Sequence, residues 1–226
     1  FQGNIEDIEG MSFSGQMHGL VLVDENIEPL RNAILWNDTR TTEQCNKIDE
    51  VVGKERLLEI TKNVALEGFT LPKLLWVQEY EPDIYKKASY FLLPKDYVRY
   101  ALTRSIHMDY SDAVGTLLLD IQRKNWSKEL CDLLNLDVNL CPPLVESHEE
   151  VGNLTKPTAE KTGLSPRLRV FAGGADNACG AIGAGILDEG KTLCSIGTSG
   201  VVLSYEETSD KDFNGKVHYF NHGKAD

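Results

Sequence analysis

Positive charge is scarce in this 226-residue sequence: 23 lysines and arginines stand against 35 aspartates and glutamates, for a formal charge of −12. So acidic a surface repels phosphate backbones and anionic lipid, which argues against nucleic acid and membrane partners and for a small polar ligand. Long apolar runs are missing too. No stretch reaches the roughly eighteen apolar residues of a membrane span, and no secretory signal precedes the first strand-like segment. Cys45, Cys131, Cys141, Cys179 and Cys194 are odd in number and none falls in a C-x-x-C pair. That pattern argues against a disulfide framework and a structural zinc, and predicts reduced thiols in a cytoplasmic protein. No H-E-x-x-H occurs among the five histidines; His218 and His222, four apart in "VHYFNH", are read as lying on one face of a strand-like run, and no metal site is expected there.

What is present reads as an α/β chain, long enough for one large domain or one domain plus part of another. The opening Phe1, Gln2 and Gly3 look like the remnant of a cleaved affinity tag, so native sequence is expected from Asn4. Apolar runs at 8–13 and 19–23, around "SGQMHG", predict two strands, and "ILWND" a third. Asp38 or Thr39 is placed to cap a helix to Val52 with Gly53 as its stop, and further helices are predicted at 54–61 and 72–80. "YFLLPKDYVRYALT" predicts a strand ending at Pro94 and then a helix, and Ser127 caps another short helix to Leu134. Residues 135–166 are rich in turn formers and show little periodicity. "LRVFAGGAD" predicts a buried strand running into a glycine turn, and "NACGAIGAG" a helix.

Residues 185–192 spell G-x-x-x-x-G-K-[ST], the pattern of a phosphate-binding loop. Such a loop lies between a strand and the helix it opens, whereas here a small-residue helix comes first and the strand-like "LCSIG" follows. Asp188 and Glu189 would also set two carboxylates against a polyphosphate. The segment is therefore read as a helix-to-strand turn. A better phosphate turn is "SIGTSGVV", a hairpin in which Gly197 and Gly200 allow close approach of the main chain and Thr198 and Ser199 supply hydroxyls; an ordinary hairpin turn is the plainer alternative. Gly180 and Gly183 inside a helix each cost about 0.5–1 kcal/mol relative to alanine, which asks for a close neighbour or a ligand to offset them. Asp176 stands where strand gives way to helix, a place that suits either a helix cap or a ligand group at a strand's carboxyl end. "SGQMHG" sets Gln16 and His18 at another strand end.

Taken in order, "SGQMHG", "ILWNDTR", "GFTLPKLLW", "LLPKDYVRYALT", "GGADNACGAIGAG", "SIGTSG" and "VHYFNH" resemble the FGGY family of carbohydrate kinases over nearly the whole chain. Gly68, Thr70, Lys73 and Trp76 follow the family's first signature, from which Tyr80 departs. The resemblance implies the ribonuclease-H-like, actin-like fold: two domains, each a mixed sheet flanked by helices, with the site in the cleft between. It divides the chain into an N-terminal domain at 4–175, lacking its first strands, and a hinge with the beginning of the second domain at 176–226. It implies that Asp176 is the general base, that Gln16, Met17, His18 and Asn177 hold the sugar, and that Gly197, Thr198, Ser199 and Gly200 form the second-domain phosphate turn. ATP with Mg2+ is the implied phosphoryl donor, and "GQMHG" favours D-xylulose, phosphorylated at its 5-hydroxyl, over gluconate, glycerol or ribulose. The first phosphate hairpin and the adenine site of the family have no counterpart here, so the chain is expected to be a truncated fragment, inactive alone. Exposed strand edges make a homodimer one expected partner. A kinase for another ketose or sugar acid, and a non-catalytic sugar-binding module of actin-like fold, are the alternative readings.

Overall fold

Two short parallel strand pairs organise the chain. The computed structural model describes residues 4–197, 200–208, 211 and 213–224, so the expected tag remnant at 1–3 lies outside the described residues. In chain order the elements are β1 (Gly10–Met11), β2 (Ser14–Gly15), β3 (Val21–Val23), α1 (Thr42–Val51), α2 (Lys54–Thr61), α3 (Thr70–Tyr80), α4 (Pro82–Tyr85), β4 (Tyr90–Leu92) and α5 (Pro94–Thr103). There follow β5 (Met108–Asp109), α6 (Tyr110–Ala113), β6 (Leu119–Asp120), β7 (Asn125–Trp126), α7 (Lys128–Leu133), β8 (Leu144–Val145), β9 (Glu150–Asn153), α8 (Lys156–Thr162), β10 (Arg169–Phe171) and β11 (Gly174–Ala175). The chain continues through α9 (Asp176–Gly183), β12 (Thr192–Ile196) and β13 (Gly200–Ser204).

β1 pairs in parallel with β10, and β10 pairs antiparallel with β9, giving a mixed three-stranded sheet. A few residues further along the same two segments, β2 pairs in parallel with β11, with Ser14 opposite Gly174 and Gly15 opposite Ala175. The interruption between the two pairs is built on Gly173, at φ +79°: a Cβ there would sit 2.3 Å from the carbonyl oxygen of Phe13, so no other residue fits. Because the pairs are parallel, the segments after Gly15 and after Ala175 leave the same end of the sheet. Parallel pairing thus selects which loops meet.

The main core gathers Leu20, Leu22, Ile48, Leu57, Leu71, Leu75 and Phe91, and a second cluster lies under β9, β10 and α8. α2 has the predicted bounds, set off by Gly53 at φ +84° and ended by Lys62 in the left-handed region. Pro94 opens α5, and Ser127 Oγ accepts from the Leu130 N–H to cap α7.

Four expectations change. α1 begins at Thr42 rather than at an Asp38 or Thr39 cap, because Asp38 instead accepts from the Arg40 guanidinium at 2.9 and 2.7 Å. "ILWND" contributes a single bridge, Ile34 to Leu20, and no strand. "VHYFNH" forms no regular strand. The turn-rich stretch contains a real helix, α8, whose Thr155 cap, Pro157 in the first turn and Gly163 stop at φ +73° are ordinary signals hidden by weak periodicity.

Candidate active site

After Gly15 the chain turns through Gln16, Met17 and His18, closed by the Gly19 N–H donating to the Met17 carbonyl at 2.9 Å. His18 sits at φ +69°. Its Nδ1 lies 2.6 Å from the carbonyl oxygen of Gly115. A carbonyl can only accept, so Nδ1 carries the proton and Nε2 keeps an acceptor lone pair. Burial lowers the His18 pKa from 6.5 to about 4; the Gly115 carbonyl bond opposes that fall, and Lys73 and His218 add to it. The ring is neutral at pH 7. It meets Phe69 edge-on at 4.8 Å and Phe220 at 5.9 Å. A Cβ on Gly115 would come within 3.0 Å of both the His18 ring and the Met17 methyl, so this close approach needs glycine.

Behind the turn stands the start of α3. Thr70 Oγ1 donates to the His18 carbonyl at 3.2 Å, and Lys73 Nζ donates to the carbonyls of Glu67, Gly68 and Phe69. Burial pulls Lys73 down to about 8, yet three carbonyls saturate its three N–H donors, so the cation persists at neutral pH and ties down the loop that carries Phe69. Thr70 and Lys73 figured in the sequence only as signature residues; their task is to brace the His18 turn.

From the neighbouring strand, β11 passes directly into α9. Its N-cap is Ala175, with no side-chain cap, so Asp176 is the first helical residue and not the capping one; its Oδ1 accepts the Asn177 N–H at 2.8 Å and the side chain is exposed. Asn177 Nδ2 lies 3.7 Å from the Met17 sulfur. Met17 itself is buried against Ala175, Ala178 and Phe220. The structure therefore brings Met17, His18, Asp176 and Asn177 together at one sheet end, with Gln16 half-buried in the same turn.

The other candidates fall elsewhere. β12 and β13 form the expected hairpin, with Ile196 opposite Gly200; Gly197 lies in its bend, while Thr198 and Ser199 lie outside the described residues. Gly180 and Gly183 face open space rather than a close neighbour, which corrects the expectation of tight backbone packing within the described residues. The 185–192 segment is a helix-to-strand turn, with Gly185 and Gly190 at positive φ and Lys191 paired to Asp188 at 2.7 Å. His218 and His222 separate: His218 stacks on Phe220 and meets Phe69, whereas His222 meets Tyr205. Sequence reasoning missed the part the tail plays. Tyr219 exchanges two main-chain bonds of 2.9 Å with the Asn63 amide, laying Phe220 and His218 beside His18.

A model of the FGGY family of carbohydrate kinases, N-terminal domain, matches residues 2–183, and the chain belongs to that family. Among individual proteins it is 64% identical over 221 residues to the xylulose kinase of Bacillus subtilis (strain 168), covering 98% of this chain and 44% of that protein. It is 53% identical to the xylulose kinase of Staphylococcus epidermidis (strain ATCC 12228 / FDA PCI 1200), covering 97% and 43%. Of solved structures, a xyloylose kinase from Brucella ovis superposes with a TM-score of 0.80 at 40% identity, over 85% of this chain and 39% of that one. The xylulose kinase from Rhodospirillum rubrum does so with a TM-score of 0.82 at 26% identity, over 86% and 40%. The fold is accordingly the actin-like sugar-kinase fold, and the chain spans less than half the length of the curated relatives it matches.

Proposed function

We propose that the chain is the sugar-holding part of an ATP-dependent xylulose kinase, which transfers the γ-phosphoryl group of ATP to the 5-hydroxyl of D-xylulose. The observation that carries this is the meeting, at one end of a parallel strand pair, of the Gln16–Met17–His18 turn and the exposed carboxylate of Asp176. The xylulose kinase relatives favour the substrate.

In this reading the bound ketose presents its terminal hydroxyl to Asp176. The hydroxyl oxygen attacks the γ-phosphorus, the bond to the departing ADP breaks, and Asp176 takes up the hydroxyl proton. Neutral His18, with Nδ1 committed to Gly115, accepts a hydrogen bond from another sugar hydroxyl at Nε2, while the Asn177 amide holds the ketose from the start of α9. Positioning is the chief contribution of these residues, since a loose phosphoryl-transfer transition state needs little covalent help. The hairpin glycines Gly197 and Gly200 are read as flanking the phosphates. Mg2+ accompanies ATP, but the described residues do not fit it: the buried carboxylates of Asp96, Asp109 and Asp112 are already compensated by Lys95, so no step is routed through a metal held by this chain. We also place the boundary between the two domains at 175/176, where β11 runs into α9, and the protein in the cytoplasm, in keeping with its five free thiols.

Asp176→Asn in the whole kinase tests the base. Turnover with D-xylulose is expected to fall by about 10²–10⁴-fold, and unchanged turnover overturns the assignment. Profiling xylulose against ribulose, gluconate and glycerol tests the substrate, for which the highest kcat/KM is expected with xylulose.

A further inference from the structure

A chain of hydrogen bonds runs from the buried interior to the start of α9, and the reaction as derived above makes no use of it. Lys95 Nζ lies 2.8 Å from Asp96 Oδ1, 2.9 Å from Asp109 Oδ1 and 3.2 Å from Asp112 Oδ2, all four side chains being buried. Arg99 pairs with Asp96 at 3.0 Å and donates to the carbonyl of Ala172 at 2.8 Å. Asp109 turns its second oxygen the other way: Oδ2 accepts the Ser111 N–H at 3.0 Å, the Ser111 hydroxyl and the Ser147 hydroxyl at 2.8 Å. With its proton given to Asp109, Ser111 Oγ accepts the peptide N–H of Ala175 at 3.0 Å. Ala175 is the residue before Asp176.

We propose that Ser111 and Asp109, anchored on Lys95, are positioning residues that fix the end of β11 and thereby aim the Asp176 carboxylate at the sugar. The inference rests on the reading of Asp176 as base. Asp176 is exposed, and among the described residues its side chain accepts a single hydrogen bond, from the next peptide N–H, so the carboxylate's direction follows the backbone at 175–176. The same network grips that backbone twice, at the Ala172 carbonyl through Arg99 and at the Ala175 N–H through Ser111. Without the Ser111 hydroxyl the Ala175 N–H loses its acceptor in a buried place and the first turn of α9 is free to shift. Displacement of a catalytic group by even about 1 Å is enough to depress turnover strongly.

Ser111→Ala and Ser111→Thr in the whole kinase, with amide hydrogen exchange at Ala175 measured on this chain, test the brace. The expected result for Ser111→Ala is kcat down by about tenfold or more with KM for the sugar within about twofold, faster exchange at Ala175, and recovery of both in Ser111→Thr. Ser147→Ala, which removes a hydroxyl from the same Asp109 oxygen but leaves Ala175 held, is expected to keep kcat. Unchanged kcat in Ser111→Ala, or a fall matching only the unfolded fraction seen by circular dichroism, overturns the proposal. Should Ser111→Ala not fold, Ser111→Cys keeps the volume while weakening the acceptor, and unchanged kcat there overturns it equally. The base reading fails separately, through Asp176→Asn, whereas the exchange rate at Ala175 reports on the brace alone.

Discussion

Residues 94–112 and residues 192–204 invert each other's chemistry. The first stretch buries charge: Lys95, Asp96, Arg99, Asp109 and Asp112 are all shielded from water and neutralise one another. Burial pushes the Asp112 carboxyl pKa well above the usual carboxylate range, against the pull of Lys95. The second stretch exposes apolar groups, with Ile196 86% and Val202 74% accessible on a two-stranded sheet. A hairpin of two strands is marginal by itself, and this one is held at its base by Leu193 and Leu203 against Ala181 and Ile186 of the α9 region. Among the described residues the body pairs its buried charges with one another, although Asp96 Oδ2, Arg99 Nε and both Asp112 oxygens have no hydrogen-bond partner, while the hairpin's apolar faces find no cover. Internal charge pairing ties the body together, whereas the hairpin leaves apolar side chains exposed.

Removing one member of the buried network is the severest way to break that contrast. Lys95→Met strands the carboxylates it pairs and is expected to cost about 3–5 kcal/mol in urea unfolding of this chain; a loss below about 1 kcal/mol would mean that the network is not a structural platform. His18 comes next. Its folded-state pKa of about 4 lies below the unfolded 6.5, so as pH falls from 6.5 to about 4 the unfolded chain gains the proton first and stability drops, by about 3 kcal/mol in all, levelling off below pH 4. In His18→Gln that part of the acid-induced loss is expected to vanish, as measured by unfolding at pH 7 and pH 4.5. Gly115→Ala pushes a methyl against the His18 ring and Met17 and is expected to cost about 1–3 kcal/mol while raising the sugar KM of the whole kinase. Smallest is Ile196→Ser on the hairpin, expected within about 0.5 kcal/mol in stability but reducing any self-association seen by sedimentation. A large stability loss there would show the hairpin to be as integral as the body.

Much of the local structure was legible because its signals are local. Gly53 and the periodicity after it bounded α2, Ser127 announced α7, and the glycine-hydroxyl turn between apolar runs announced the β12–β13 hairpin. The "SGQMHG" turn and the Asp176 junction were visible as strand ends. α8 was overlooked, since its cap and stop frame only seven residues with one buried position, Ala159. "ILWND" and "VHYFNH" misled through β-propensity alone: Ile34 is recruited by Leu20 and the tail by Asn63, and neither has a full partner strand. The buried network could not be read at all. In sequence Lys95, Asp96 and Arg99 look like an ordinary solvated helix face, and only the packing of α5 against the β5–α6 corner turns them inward.

By itself the sequence determined the kinds of group available: a histidine and methionine in a glycine-flanked turn, an aspartate where strand becomes helix, and a family pattern along the chain. Tertiary structure alone decided that these groups meet. Parallel pairing of β2 with β11 sets two strand ends 160 residues apart side by side, as the contact of Asn177 with Met17 records. The Gly115 carbonyl then chose the tautomer of His18, and burial raised the pKa of the Asp112 carboxyl. Pairing across such separations and exclusion of water are properties of the folded chain as a whole, and no window of residues carries them.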